Sequence, residues 1–196
     1  MLRRGAIMLA VAGLLTSYFG SSVVAEDLKI GDKGPAFKAV GIDGKEYTLD
    51  GSKGKKATVL VFTCNNCPVA IAYEDRFIDF QKKHADSPDV KFIAINVNRS
   101  EDLDAMKERA EEKGINYTYA YDASGDSARA YGARVTPHVF VLDAEGSLAY
   151  QGSFDDKQNN PSKPHVESAV QALVEGKMPE VQSTRAFGCG IKPAKK

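Results

Sequence analysis

Two of the three cysteines in this chain stand three positions apart, Cys64 and Cys67 in "VFTCNNCPVA" (61–70). Thiolates at that spacing can form half of a metal site, a fixed staple, or a couple that opens and closes by thiol–disulfide exchange. A zinc site wants two more Cys or His ligands, and His84, His138 and His165 are scattered singly. Three cysteines are too few, and odd in number, for a disulfide scaffold. Exchange is the chemistry the residues favour.

Pro68 locates the pair. Proline has no N–H to give a helix interior but is accepted in the first turn, where N–H groups lack intrahelical partners. After it, Val69, Ala72, Tyr73, Phe77 and Phe80 mark one helical face. The spacing predicts a helix starting near Asn65 or Asn66, with Cys64 at its N-terminal lip. There the positive helix end lowers a thiol below its free value of ~8.5. Cys67, one turn on, would resolve a mixed disulfide carried by Cys64.

The elements that must hold this pair follow from the pattern. "ATVLVFT" (57–63) and "VKFIAINVN" (90–98) are continuous apolar runs, as in strands covered on both faces. Ser100 is the expected cap of a second helix with Glu101, Asp102 and Asp104 in its first turn, Leu103, Met106 and Ala110 inward and Gly114 as its stop. "NYTYAYD" reads as a short strand and "SGDSARAYG" as a short helix closed by Gly132. "HVFVLD" and "SLAYQG" form an antiparallel pair around "AEG". A last helix starts at Pro164, with Val166, Ala169, Val170 and Leu173 inward and Gly176 at its end. "GIDGKEY" is an N-terminal hairpin turn. The expected class is α/β, a central mixed sheet flanked by helices with an N-terminal β-hairpin extension.

Arg3 and Arg4, the apolar "GAIMLAVAGLLTSYFG" and the small residues of "SSVVA" give residues 1–25 the form of a secretory signal. The apolar stretch falls short of the ~20 residues of a spanning helix, so no stable membrane insertion is expected after cleavage. The expected divisions are a signal at 1–25, a domain over 26–176, and an irregular tail over 177–196 carrying Cys189. Location would be periplasmic or secreted, where disulfide chemistry is permitted. Removing Arg3 and Arg4 leaves 24 basic against 26 acidic side chains. With no basic block beyond "KPAKK", no nucleic-acid partner is expected.

At these residues the chain resembles exported thioredoxin-fold proteins of the redoxin/TlpA-like (AhpC/TSA-related) family, over roughly residues 28–176. "LKIGDKGPAF" resembles that family's leading segment and "VFTCNNCP" its strand–CxxC–helix site. "YGARVTPHVFVLDAEGSLAYQG" (131–152) resembles the region of its cis-proline and closing hairpin. The resemblance implies a thiol–disulfide oxidoreductase in which Cys64 attacks and Cys67 resolves. It also implies that Pro137 is cis and that the Thr136 backbone pairs with a substrate segment. No bound cofactor or metal is implied; the partners would be protein dithiols or disulfides and a redox partner that resets the pair. The sequence departs from that family at Thr63, where thioredoxins have Trp, and at Thr58, where they bury a carboxylate. Ala70 likewise cannot supply the Glu of some relatives, so no proton-transfer partner for Cys67 is assigned.

Two rival functions fit the motif less well. A thiol peroxidase has its Thr three residues before the reactive cysteine, whereas Thr63 is one before Cys64 and four before Cys67. A Sco-like copper chaperone has three residues between its cysteines and a distant His ligand, although thiolates and imidazole do suit copper. Cys189, between glycines in "AFGCGIKP", is a candidate third redox thiol, with a free or intermolecularly paired thiol as the alternative.

Overall fold

The computed structural model describes residues 28–52 and 54–191, so the expected signal segment lies outside the described residues. Strands β1 (Lys38–Gly41) and β2 (Glu46–Thr48) form the N-terminal hairpin, turning at Gly44 with φ of 78°. There follow β3 (Ala57–Thr63), α1 (Pro68–His84), β4 (Val90–Asn96), α2 (Leu103–Lys113) and β5 (Thr118–Tyr121). The second half holds α3 (Asp126–Tyr131), β6 (Val135–Thr136), β7 (His138–Leu142), β8 (Leu148–Gly152), α4 (His165–Val174) and β9 (Cys189–Gly190).

Seven strands form one mixed sheet in the order β2-β1-β5-β4-β3-β7-β8. β3, β4 and β5 run parallel, joined by α1 and α2 as crossovers, while the pairs β3–β7 and β7–β8 are antiparallel. Every residue of β3 is buried, as its unbroken apolar run requires of a central strand. Alternate residues of β3 feed two cores. Val59 and Val61 join Tyr73, Phe77 and Phe80 of α1, Met106 of α2 and the inner stripe of α4. Leu60 and Phe62 face Phe37, Tyr131 and Phe140 on the opposite side. Phe77, 1% exposed, meets the rings of Tyr73, Phe92, Tyr117 and Phe154. A ring buried this fully contributes about 3–5 kcal/mol over alanine.

Four expectations need correction. α1 starts at Pro68 with Cys67 as its N-cap, rather than near Asn65 or Asn66, because both asparagine amides are drawn off to Glu101. Its inner face uses Ala70, Tyr73, Phe77, Ile78 and Phe80, while Ala72 is exposed. α2 is capped by Asp102, whose carboxylate accepts from the Ala105 N–H at 2.9 Å, and not by Ser100. The tail, expected to be irregular, contributes strand β9, antiparallel to β6. Two residues paired with a distant segment leave no periodicity to read.

Candidate functional site

β3 ends at Thr63 and delivers Cys64 to the top of the sheet, where the chain loops through Asn65 and Asn66 before α1. The loop is held by Glu101. This buried carboxylate accepts from the Asn65 N–H at 2.9 Å, the Asn66 N–H at 3.1 Å, and the side-chain amides of Asn96 at 2.6 Å and Asn98 at 2.8 Å. The Tyr119 hydroxyl donates to Asn65 Oδ1 at 2.5 Å and adds a further anchor. Sequence reading placed Glu101 as a helix-dipole residue of α2 and missed this role. An acid preceding its helix carries no pattern that says it folds back onto a distant loop.

Cys67 caps α1, its sulfur accepting from the Ala70 N–H at 3.4 Å and its thiol donating to the Thr136 carbonyl at 3.1 Å. Cys64 Sγ lies 3.4 Å from Thr136 Oγ1. Both thiols are free, Cys64 8% exposed and Cys67 1%, so Cys64 is the more accessible of the two. Burial pushes the Cys64 thiol up, and the negative charges of Glu101 and Cys67 push the same way against the Thr136 hydroxyl. Burial also opposes the Cys67 thiolate. Hydrogen bonds from the Cys189 thiol and the Ala70 amide outweigh it, leaving Cys67 below the ordinary thiol value. The helix-end stabilisation expected at Cys64 thus falls on Cys67, the residue that occupies the cap.

Thr136 ends β6, and the Thr136–Pro137 peptide is cis. β9 lies against it, with Thr136 in register with Cys189 and Val135 with Gly190, and the Ile191 N–H donates to the Arg134 carbonyl at 2.9 Å. All five residues singled out in the sequence, Cys64, Cys67, Thr136, Pro137 and Cys189, therefore converge. Cys64, Cys67, Val97, Asn98, Thr136 and Cys189 line a pocket of about 190 Å³. That is smaller than the usual 300–1,000 Å³ of a small-molecule site, and it suits contact with another chain better than enclosure of a ligand. Among the described residues no group of three or more His, Cys, Asp or Glu side chains is disposed to hold a metal ion.

Fold and site define the class as a thioredoxin-like α/β domain with a dithiol immediately ahead of a helix, set against the residue that precedes a cis-proline. The chain belongs to the Redoxin family, whose model matches residues 29–173. It is 25% identical over 152 residues to the thiol-disulfide oxidoreductase ResA of Bacillus thuringiensis subsp. konkukian, covering 76% of this chain and 84% of that one. It is 23% identical over 159 residues to a thiol peroxidase of Bacillus subtilis, covering 78% and 93%. Among solved structures, an uncharacterized conserved protein from Geobacillus kaustophilus superposes with a TM-score of 0.79 at 29% identity, over 86% of this chain and 94% of that one.

Proposed function

We propose that this protein is an extracytoplasmic thiol–disulfide oxidoreductase acting on protein thiols or disulfides through Cys64 and Cys67. The observation that carries the reading is the meeting of both thiols with Thr136 at one helix end, Cys64 at its hydroxyl and Cys67 at its backbone carbonyl. Cys64, the more accessible sulfur, attacks a substrate disulfide and forms a mixed disulfide. Cys67, already favoured as a thiolate at the helix cap, attacks Cys64 Sγ. A Cys64–Cys67 disulfide forms, the substrate leaves as a thiol, and a partner dithiol reduces the pair again. Thr136 and Pro137 position the substrate chain. No bound cofactor enters this cycle. The resemblance to ResA supports the exchange chemistry, and the signal-like residues 1–25 support the compartment.

The relationship to thiol peroxidases gives the alternative its own observation. A redox titration of Cys189→Ser protein in glutathione buffers, with mass readout of alkylated Cys64 and Cys67, separates the two. The expected result is one reversible two-electron couple in which both cysteines lose alkylation together. Failure to form that couple, with peroxide driving one cysteine to sulfinic acid, would establish the peroxidase instead. Tight copper retention without a couple would point to the metallochaperone.

A further inference from the structure

β9 occupies the strand edge that the proposed function assigns to substrate. Its Cys189 is in register with Thr136, and the approach is closest at Gly188. Gly188 has φ of 152°, and a Cβ there would collide with the Thr136 carbonyl oxygen, so only glycine lets the tail lie this close. The segment is secured upstream as well. Thr184 N–H donates to the Gln151 carbonyl at 3.0 Å, and its hydroxyl oxygen accepts from the Ser153 N–H at 3.0 Å and shares a hydrogen bond with the Tyr150 hydroxyl at 2.6 Å. Phe187 is packed edge-on against Tyr73 of α1.

This path brings Cys189 to Cys67. Cys189 packs against the cluster of Cys64, Cys67 and Ala70 at the first turn of α1, and the Cys67 thiol donates to the carbonyl of Thr136, the residue in register with Cys189. Two sulfurs therefore share one helix end, and the third, Cys64, packs beside them.

We propose that Cys189 is a second disulfide partner for Cys67, presented by a C-terminal strand that closes the Thr136 edge to substrate. The inference rests on the thiol–disulfide reading above. Starting from the Cys64–Cys67 disulfide, the Cys189 thiolate attacks Cys67 Sγ. The Cys67–Cys189 bond forms, the Cys64–Cys67 bond breaks, and its electron pair leaves on Cys64. That sulfur takes up the proton Cys189 released, so no oxidant or reductant is consumed. The product holds the tail across Thr136, frees Cys64, and returns to service when an external dithiol reduces the Cys67–Cys189 bond and lets the strand lift.

The test is disulfide mapping after equilibration with glutathione disulfide, on wild type, Cys64→Ser, Cys189→Ser and the double variant Cys64→Ser/Gly188→Ala. In Cys64→Ser the expected product is an intramolecular Cys67–Cys189 link that protects both residues from alkylation. Wild type should yield the same linked peptide beside Cys64–Cys67. Adding Gly188→Ala, which forces the strand off Thr136, should reduce the link about tenfold or more and speed alkylation of Cys67 to match. Cys67 and Cys189 ending as separate glutathione adducts in Cys64→Ser, with no linked peptide in wild type, would overturn the proposal. So would an undiminished link in the double variant. The oxidoreductase reading is judged separately, by the Cys64–Cys67 couple in Cys189→Ser. If that couple forms and Cys67–Cys189 does not, only the role given to Cys189 falls.

Discussion

The backbone of Cys189 lies in antiparallel register with that of Thr136, the residue on the near side of the cis Thr136–Pro137 peptide. The last described strand therefore covers β6, a stretch of backbone beside the dithiol that pairs outside the main sheet. A two-residue ladder cannot hold itself against water. Its persistence depends on the contacts of residues 182–187 with β8 and α1, where Thr184 supplies most of the polar anchoring.

Replacing Thr184 with valine keeps its shape and removes the hydroxyl. The Ser153 N–H loses its acceptor, at a cost of about 1–3 kcal/mol. Because the tail packs on the surface of an intact sheet, we expect that cost to appear as local opening. Hydrogen exchange at the Thr184 and Ile191 amides should quicken while amides of β3 and β4 keep their protection. Equal loss of protection across both regions would show that the tail is part of the global folding unit instead.

Glu101 offers a charge test of the site. Both of its oxygens accept two hydrogen bonds, so Glu101→Gln must turn an amide NH2 toward donors in either orientation. Urea unfolding should show a loss of about 1–3 kcal/mol. Removing the carboxylate also removes a charge that disfavours the Cys64 thiolate. The pH profile for alkylation of Cys64 should accordingly move to lower pH. An unmoved profile in a folded variant would mean that burial and the Cys67 charge, not Glu101, raise this thiol.

Between the helices, Glu74 of α1 is 7% exposed and is gripped by Arg109 of α2 through Nε at 3.0 Å and Nη2 at 2.6 Å. Arg109→Met would leave that carboxylate buried without its partner, a loss of about 3–5 kcal/mol. Adding Glu74→Leu should recover most of it, since the paired charges gain little over apolar packing. Denaturant titrations of the two single variants and the double variant decide the matter. A double variant no more stable than Arg109→Met would show that the fork itself orients α2.

The dithiol and the α/β order were legible because each rests on local pattern, whereas the cis Thr136–Pro137 peptide was expected only from the family resemblance. The unbroken apolar runs of β3 and β4 and the inner stripe of α4 mark buried elements, and Cys-x-x-Cys with Pro68 marks a helix start. What was not legible depends on contacts between distant segments. The start of α1 was misplaced because Glu101, rather than helical propensity, decides where the Asn65 and Asn66 amides point. The tail's strand was invisible because β9 has two residues and no alternation of its own. Its only sequence trace was the pair of glycines around Cys189, of which Gly188 proves to be required by close approach to Thr136.

His138 gives the fold a calculable sensitivity to acid. It opens β7 with its ring against Phe140, and its Nδ1 accepts from the Arg134 N–H at 3.4 Å, which places the proton of the neutral ring on Nε2. Burial disfavours the imidazolium, the Arg134 charge adds to this, and the folded-state pKa is pushed down to about 4 from 6.5. Below pH 6.5 the unfolded chain binds a proton here that the folded one does not, so stability falls as pH drops from 6.5 toward 4 and the effect levels off below. The full shift corresponds to about 3 kcal/mol. Between pH 7 and pH 4.5, wild type should therefore lose about 2–3 kcal/mol more than His138→Gln in urea titrations. Equal losses in the two proteins would show that the ring finds water or an anionic partner when protonated, and that acid sensitivity arises elsewhere in the chain.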